Sequence, residues 1–412
     1  MSEAAAQASI ETVVRASYGR LVAYLAARSG DVAGAEDALS EAFAAALRRW
    51  PVDGVPVKPE AWLLHAARNR QIDAARHRRV EQASEPVLQQ LAVEAENIAT
   101  METSFPDERL KLLFVCAHPA IDPAARTALM LQAVLGLDAA RIASAFLVSP
   151  AAMGQRLVRA KVKIRDAAIP FRVPEPPEWD ERVTYVLEAI YFAYTAGWES
   201  AADPGSTHHS LAAEAIALGR TLTELMPHEP EARGVLALML HCEARRAARY
   251  TAEGQFVPLD RQDPARWSRP LIEEAEVQLR TAARSGRMGR FQLEAAIQSL
   301  HAERAVTGAI DWPGIALLYE GLVRIAPGIG AQVGRAVALA EAGDPTAGLA
   351  ALDALPAGRT VDYQPWWASR AHLLLMLGRG AEARSAYLRA GGLTEDAALR
   401  EWLMARAASP SA

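Results

Sequence analysis

LDAARIASAFLVSPAAMGQRLVRAKVKIR, Leu137 to Arg165, contains two helix starts, one at Asp138 and one at Ser149. Asp138 is a suitable N-cap for a first short helix that holds Ile142 and Ala145 inward. Ser149 followed by Pro150 is a second N-cap with proline at the first helical position. From there Met153, Leu157, Ala160 and Ile164 recur at i, i+4, i+7 and i+11, which makes one apolar stripe. Ala152, Gln155, Arg156, Arg159 and Lys163 fall on the other side. A helix that buries one face and shows Gln and Arg on the other, after a tight turn, has what major-groove reading needs. The plain alternative is a helical hairpin with a solvated basic face.

Working outward, the bulk charge argues for local rather than global nucleic-acid contact. The chain of 412 residues has a formal net charge of -5, so a uniformly basic surface is excluded. Two basic patches stand against that balance. One holds Arg68, Arg70, Arg76, Arg78 and Arg79 against the single acid Asp73; the other holds Arg156, Arg159, Lys161, Lys163 and Arg165 with no acid. Two cysteines, Cys116 and Cys242, cannot build a disulfide framework and fit a reducing compartment. No apolar run reaches the ~18 residues of a membrane span, and MSEAAAQASIETVV lacks the pattern of a secretory signal. A cytoplasmic protein with no membrane contact is expected.

The pattern throughout is all-α. Residues 10–80 form a first helical block. Val13, Val14, Leu21, Val22 and Leu25 mark one helix; Ala38, Leu39, Phe43, Ala46 and Leu47 mark a second. WPVDGVPVKP, Trp50 to Pro59, reads as a loop. A third helix starts near Pro59 and Glu60, with Leu63, Leu64, Ala67, Ala74 and Ala75 inward and His65, Asn69, Asp73 and Arg76 along another side. Residues 81–106 hold five glutamates and no Lys or Arg, and read as an acidic linker. Residues 107–172 form a second helical block that ends in the basic helix. Pro170, Pro174, Pro176 and Pro177 then mark a stiff boundary. Beyond it, residues 179–408 are a run of helical patterns. Gly308, Gly343 and Gly378 each follow an apolar helix at intervals close to the ~34 residues of tetratricopeptide repeats, which points to a helical-repeat domain. Glu253 to Pro270 reads as a long ordered loop, of the kind that is often functional.

GAEDALSEAFAAALRRWP (Gly34–Pro51), PEAWLLHAARNRQIDAARHRR (Pro59–Arg79) and IASAFLVSPAAMGQRLVRAKVKIR (Ile142–Arg165), in that order, resemble the extracytoplasmic-function group of RNA polymerase sigma factors. DERLKLLFVCAHPAID and RAKVKIRDAAIPFRVP are similar to the subgroup with a tetratricopeptide-like C-terminal extension. Two departures are Leu147 in the turn, where many relatives have glycine, and Gly154 within the second helix.

The resemblance implies two small sigma domains, the second with a helix-turn-helix, joined by the acidic linker and followed by the repeat domain. It implies core RNA polymerase and promoter DNA as partners, with a further protein partner for the repeats. Glu36, Asp37 and Glu41 would meet a basic polymerase surface. His65, Asn69, Arg70, Asp73, Arg76 and Arg79 would face the minus-ten region. Ser149, Ala152, Gln155, Arg156, Arg159 and Lys163 would face the minus-thirty-five element. The Trp50–Lys58 loop would capture an unstacked base, with Trp50 either stacking on it or plugging the core. The linker would thread the polymerase's positively charged cleft or serve as a plain tether.

Nothing resembles a catalytic motif, and Cys116 with His118, like His241 with Cys242, lacks a second pair at metal-ligand spacing. No enzyme activity, cofactor or metal is expected. His241, Glu243, Arg245, Arg246 and Arg249, with Asp260, Asp263 and Trp267, either line a cleft or hold the Glu253–Pro270 loop by ion pairing. Two rival readings stay open: an enzyme in the C-terminal half tethered to DNA, and a stand-alone helix-turn-helix regulator whose repeat domain senses a ligand or protein.

Overall fold

The structure, a computed structural model, describes residues 3–79, 107–146, 148–175, 178–199 and 208–408. The acidic segment 81–106, Leu147, Pro176 and Pro177 lie outside the described residues, as do the side chains of Val13, Val14, Ala74, Ala75 and Ala145. Among the described residues there are α-helices and no strand. The chain divides into two compact units, Met1–Ala193 and Tyr194–Ala412.

The first unit contains α1 (Glu3–Ser29), α2 (Val32–Asp53), α3 (Pro59–Arg79), α4 (Arg109–Cys116), α5 (Pro123–Ala133), α6 (Ala139–Ala145), α7 (Pro150–Asp166) and most of α8 (Trp179–Glu199). Asp31 caps α2 by accepting from the Gly34 N–H at 3.0 Å. The stripe Ala35, Ala38, Leu39, Ala42, Ala46 and Trp50 is buried against α1 and α3. Leu21, Val22 and Leu25 of α1, and Leu63, Leu64 and Ala67 of α3, close the same core. These two blocks of helices, residues 3–79 and 107–166, share one compact unit, because α1 also packs on α4 and α5. Gly19 makes that approach feasible: a Cβ there would lie 1.8 Å from the Val134 carbonyl oxygen.

Three local expectations give way. The loop expected from Trp50 is shorter, since α2 continues to Asp53 and ends where the Gly54 N–H donates to the Trp50 carbonyl. The cause is Trp50: only 1% exposed, it meets Trp62 edge-on at 5.6 Å and holds the last turn on the core. Leu47, one position from Ala46, is half exposed because the inward place at that turn belongs to Ala46. Arg68, counted above in a basic patch, is buried.

The second unit holds α9 (His208–Leu225), α10 (Pro230–Ala244), α11 (Arg269–Ala283), α12 (Arg290–Thr307), α13 (Trp312–Ile325), α14 (Ile329–Glu341), α15 (Pro345–Asp353), the short α16 (Ala357–Thr360), α17 (Gln364–Met376), α18 (Gly380–Gly392) and α19 (Ala397–Ala408). Successive helices pack on one another along the chain. Gly308, Gly343 and Gly378 all adopt positive φ (73°, 116° and 72°), the left-handed turn after a helix that a side chain would strain. Asp311 and Asp344 then cap α13 and α15.

The Glu253–Pro270 loop contains two short 3₁₀ turns, Leu259–Arg261 and Pro264–Arg266. It is held mainly by arginines on backbone carbonyls and not by ion pairing, one of the two readings open from the sequence. Arg304 donates to the Asp260 and Gln262 carbonyls and lies over the Trp267 ring, and Arg266 donates to the Tyr250 and Ala247 carbonyls. The ion pair Arg246–Glu243 lies beside it at 2.7 Å.

Candidate nucleic-acid interface

α6 starts on Asp138, whose carboxylate accepts from the N–H groups of Ala140 and Arg141 at 3.0 and 2.9 Å. Four residues separate its end from α7, which starts on Ser149; the Ser149 hydroxyl accepts from the Ala152 N–H at 3.3 Å, with Pro150 in the first turn. Met153, Leu157, Ala160 and Ile164 are all buried, as their spacing requires. Ser149, Ala152, Gln155, Arg159 and Lys163 are exposed together on the far side. Arg156 is half-buried and donates from a guanidinium nitrogen to the Ala124 carbonyl of α5 at 3.2 Å, which orients it. Arg159 donates to the Gln155 carbonyl at 3.4 Å, within its own helix. At Gly154 an added Cβ would meet nothing within 4 Å, so no packing demands glycine there.

α3 presents His65, Asn69 and Arg70 to solvent. The Asn69 amide and His65 Nδ1 lie 3.4 Å apart across one turn. Asp73, Arg76 and Arg79 continue the helix, but their side chains lie outside the described residues. Arg70 pairs with Glu41 of α2 at 3.1 Å, both being more than half exposed. Such a pair contributes little and is screened by salt, so both groups stay available to a partner.

The three acids of α2 do not share one face. Asp37 and Glu41 are exposed, whereas Glu36 turns to α7 and accepts from the Lys161 ammonium. Burial pushes the Glu36 carboxyl above the usual carboxylate range, against the downward pull of Lys161. Lys161 had no separate role in the sequence, where it counts only as one of the cations of a basic helix. Nothing local signals the pairing, since 125 residues separate the two.

Residues 13–80 match the family described as sigma-70 region 2. Residues 182–283 match a family of unknown function, DUF6596. An uncharacterized protein of Rhizobium meliloti (strain 1021) is 40% identical over 367 residues, 88% of this chain and 86% of that one. The chain belongs to the family of that Rhizobium protein, and it opens with a sigma-70 region 2. No solved structure matches it.

The region 2 match covers the end of α1's first half through α3, the elements that carry Glu36 to Arg79. A sigma-70 region 2 implies interaction with core RNA polymerase and promoter DNA, and it supports a sigma-factor-like role for the chain. The DUF6596 match begins in α8 and ends in α11, so it takes in the Glu253–Pro270 loop and the Arg245–Arg249 segment. No described helix is long and apolar enough to cross a membrane.

Proposed function

We propose that this chain is an alternative sigma factor of the extracytoplasmic-function group that works in the cytoplasm, binds core RNA polymerase and directs it to a particular promoter class. The observation that carries the reading is α7. Its apolar stripe is buried to the last residue, and the opposite side shows Ala152, Gln155, Arg159 and Lys163 to solvent in the same unit as a sigma-70 region 2.

In this reading α7 lies in the major groove of the minus-thirty-five element. Gln155 and Arg159 read base edges, Arg156 is aimed by its bond to α5, and Lys163 and the Ser149 end of the helix meet phosphate. Asn69, with His65, Arg70, Asp73, Arg76 and Arg79 along α3, engages the minus-ten region and favours its melting. Asp37 and Glu41 form the acidic contribution to the polymerase contact, while Glu36, paired with Lys161, holds α2 against α7. The residues from 179 to 408 act through protein contacts that regulate or support transcription, with no chemistry of their own.

Copurification with core RNA polymerase, followed by transcription from a promoter panel by polymerase with and without the chain, tests this directly. Promoter-selective transcripts that depend on the chain are expected. A chain that binds promoter-length DNA alone but never core polymerase would instead be a stand-alone regulator.

A further inference from the structure

The second unit holds a half-open cavity of about 440 Å³, within the size range of small-molecule sites. Its walls are mostly apolar and come from six helices and one loop: the Pro258–Arg261 turn closes one side, and α12 to α14 and α17 to α19 supply the rest. Trp312, Tyr387 and Trp402 give it three aromatic faces. Into these walls the chain sets a small number of polar groups.

His301 is the informative one. Its ring meets Trp312 edge-on at 5.5 Å, and its Nδ1 is buried without a hydrogen-bond partner among the described residues. A buried imidazole nitrogen left unpaired costs ~1–3 kcal/mol, so a group that pairs with it gains that much on entering. The imidazole is also held neutral. Burial and the positive charges of Arg245 and Arg304 push its pKa down to about 4. Neither arginine has a carboxylate within ion-pair distance among the described residues: Arg304 is bonded to carbonyls and Arg245 to the Cys242 sulfur. The field at His301 is therefore positive.

Arg406 adds to it. Its guanidinium lies 6.0 Å from the Trp402 ring centroid and 5.9 Å from that of Tyr387, on the cavity wall. Two acids, Glu341 and Asp260, also belong to the lining. Glu341 is engaged by His372, Oε1 to Nε2 2.6 Å, and Asp260 stands exposed on the rim beside Arg261.

We propose that this cavity binds a small planar aromatic carboxylate, its ring against the indoles of Trp312 and Trp402 and its carboxylate toward His301 and Arg406. Aromatic walls select a flat ring, an unpaired nitrogen selects a polar group at one end, and a positive field selects an anion. No nucleic acid or polymerase is needed for binding, so the site stands or falls apart from the transcription reading.

Calorimetric titration of the full-length protein with three indoles of one shape tests it: indole-3-carboxylate, the neutral carboxamide and the cationic 3-aminomethyl compound. One carboxylate per chain with sub-millimolar affinity is expected, with the carboxamide weaker by about tenfold, equivalent to ~1.4 kcal/mol, and no measurable binding of the amine. Ala368→Phe, which fills the cavity from α17 and removes no polar group, should abolish binding while the thermal melt shows the fold retained. His301→Phe should weaken the carboxylate and leave the carboxamide's deficit smaller. Absence of carboxylate binding to the folded wild type, equal affinity for all three probes, or binding that survives Ala368→Phe overturns the proposal.

Discussion

The Lys161 ammonium of α7 donates to the Glu36 carboxylate of α2, and the pair is nearly sealed, at 12% and 13% exposure. The second Glu36 oxygen is buried and unpaired. A buried pair that is only half satisfied is weak evidence for stability, yet removing one partner leaves a naked charge. Lys161→Met alone is expected to destabilise the first unit by about 3 kcal/mol, while Lys161→Met with Glu36→Leu recovers most of that loss. Thermal and urea melts of the two single variants and the double complete the cycle. A loss in the double variant equal to the sum of the two single losses would show that the two groups are not coupled.

The same contact ranks the three acids of α2. Glu36 is covered by α7, whereas Asp37 and Glu41 are open, with Glu41 in an exposed pair to Arg70. Charge reversal at Asp37 should therefore reduce capture of core polymerase more than Glu36→Gln does, with circular dichroism unchanged at Asp37. Pull-down with immobilised core polymerase over a salt series reads the difference. Greater loss at Glu36→Gln, in a protein that melts like wild type, would place the contact on the opposite side of α2.

On α7 the exposed residues should separate by chemistry. Arg159→Ala is expected to lose ~1–3 kcal/mol for the cognate promoter and to relax preference at one base position. Lys163→Ala should weaken all sequences alike and lower the salt slope by about one. Holoenzyme binding to cognate and point-changed promoters at several salt concentrations distinguishes the two. Identical behaviour of both variants at every promoter would remove α7 from base reading. Arg156→Ala has a second effect, because it also frees the Ala124 carbonyl of α5 from its guanidinium partner.

Asn69→Ala isolates α3. Its side chain is exposed and lies beside His65, so the fold should not notice the change. Promoter opening, read by permanganate reactivity of unpaired thymines, should fall more than initial promoter binding. Unchanged reactivity would exclude Asn69 from melting.

His301 gives the second unit a pH dependence with a defined sign. Its folded pKa, about 4, lies below its ordinary 6.5 because burial and the Arg245 and Arg304 charges oppose the proton. Between those values the unfolded chain binds a proton that the folded chain does not, so stability falls as pH falls from 6.5 toward 4. Above 6.5 both states are neutral and the effect vanishes. The loss is at most about 3 kcal/mol. His301→Phe should flatten this part of the melting-temperature profile relative to wild type without a penalty at pH 7. Parallel profiles for the two proteins across this range would contradict the assignment.

What the sequence made legible was local. The i, i+4, i+7, i+11 stripe of Met153, Leu157, Ala160 and Ile164, the caps at Asp138 and Ser149, and the glycines at 308, 343 and 378 each act within one or two turns of helix. The order of blocks around Gly34–Pro51 and Pro59–Arg79 made region 2 readable as well. What stayed hidden depends on packing across long separations. Glu36 looked like one of three surface acids until Lys161 arrived from 125 residues away. Arg68 looked basic and exposed by pattern, and the cavity's His301, Trp312 and Trp402 carry no common spacing that would announce a site.

The end of the first unit sets how a truncation should be made. α8 belongs to it up to Ala193: the buried Arg126 of α5 donates to Glu181 at 2.8 Å and lies over the Tyr185 ring, and Phe146 meets Phe192 at 6.4 Å. A chain cut after Arg172, at the proline-rich stretch that looks like a boundary in the sequence, loses all three contacts. It also exposes apolar surface that α8 buries, so this truncation should melt lower or aggregate for reasons unrelated to regulation. A chain cut after Glu199 keeps them. Promoter-dependent transcription by that longer fragment, compared with full length, measures what the second unit contributes. A large change in either direction is expected, with polymerase capture retained through Asp37 and Glu41. If the fragment ending at Glu199 matched full-length protein on every promoter, with both proteins equally folded, a required role of the second unit in transcription would be untenable.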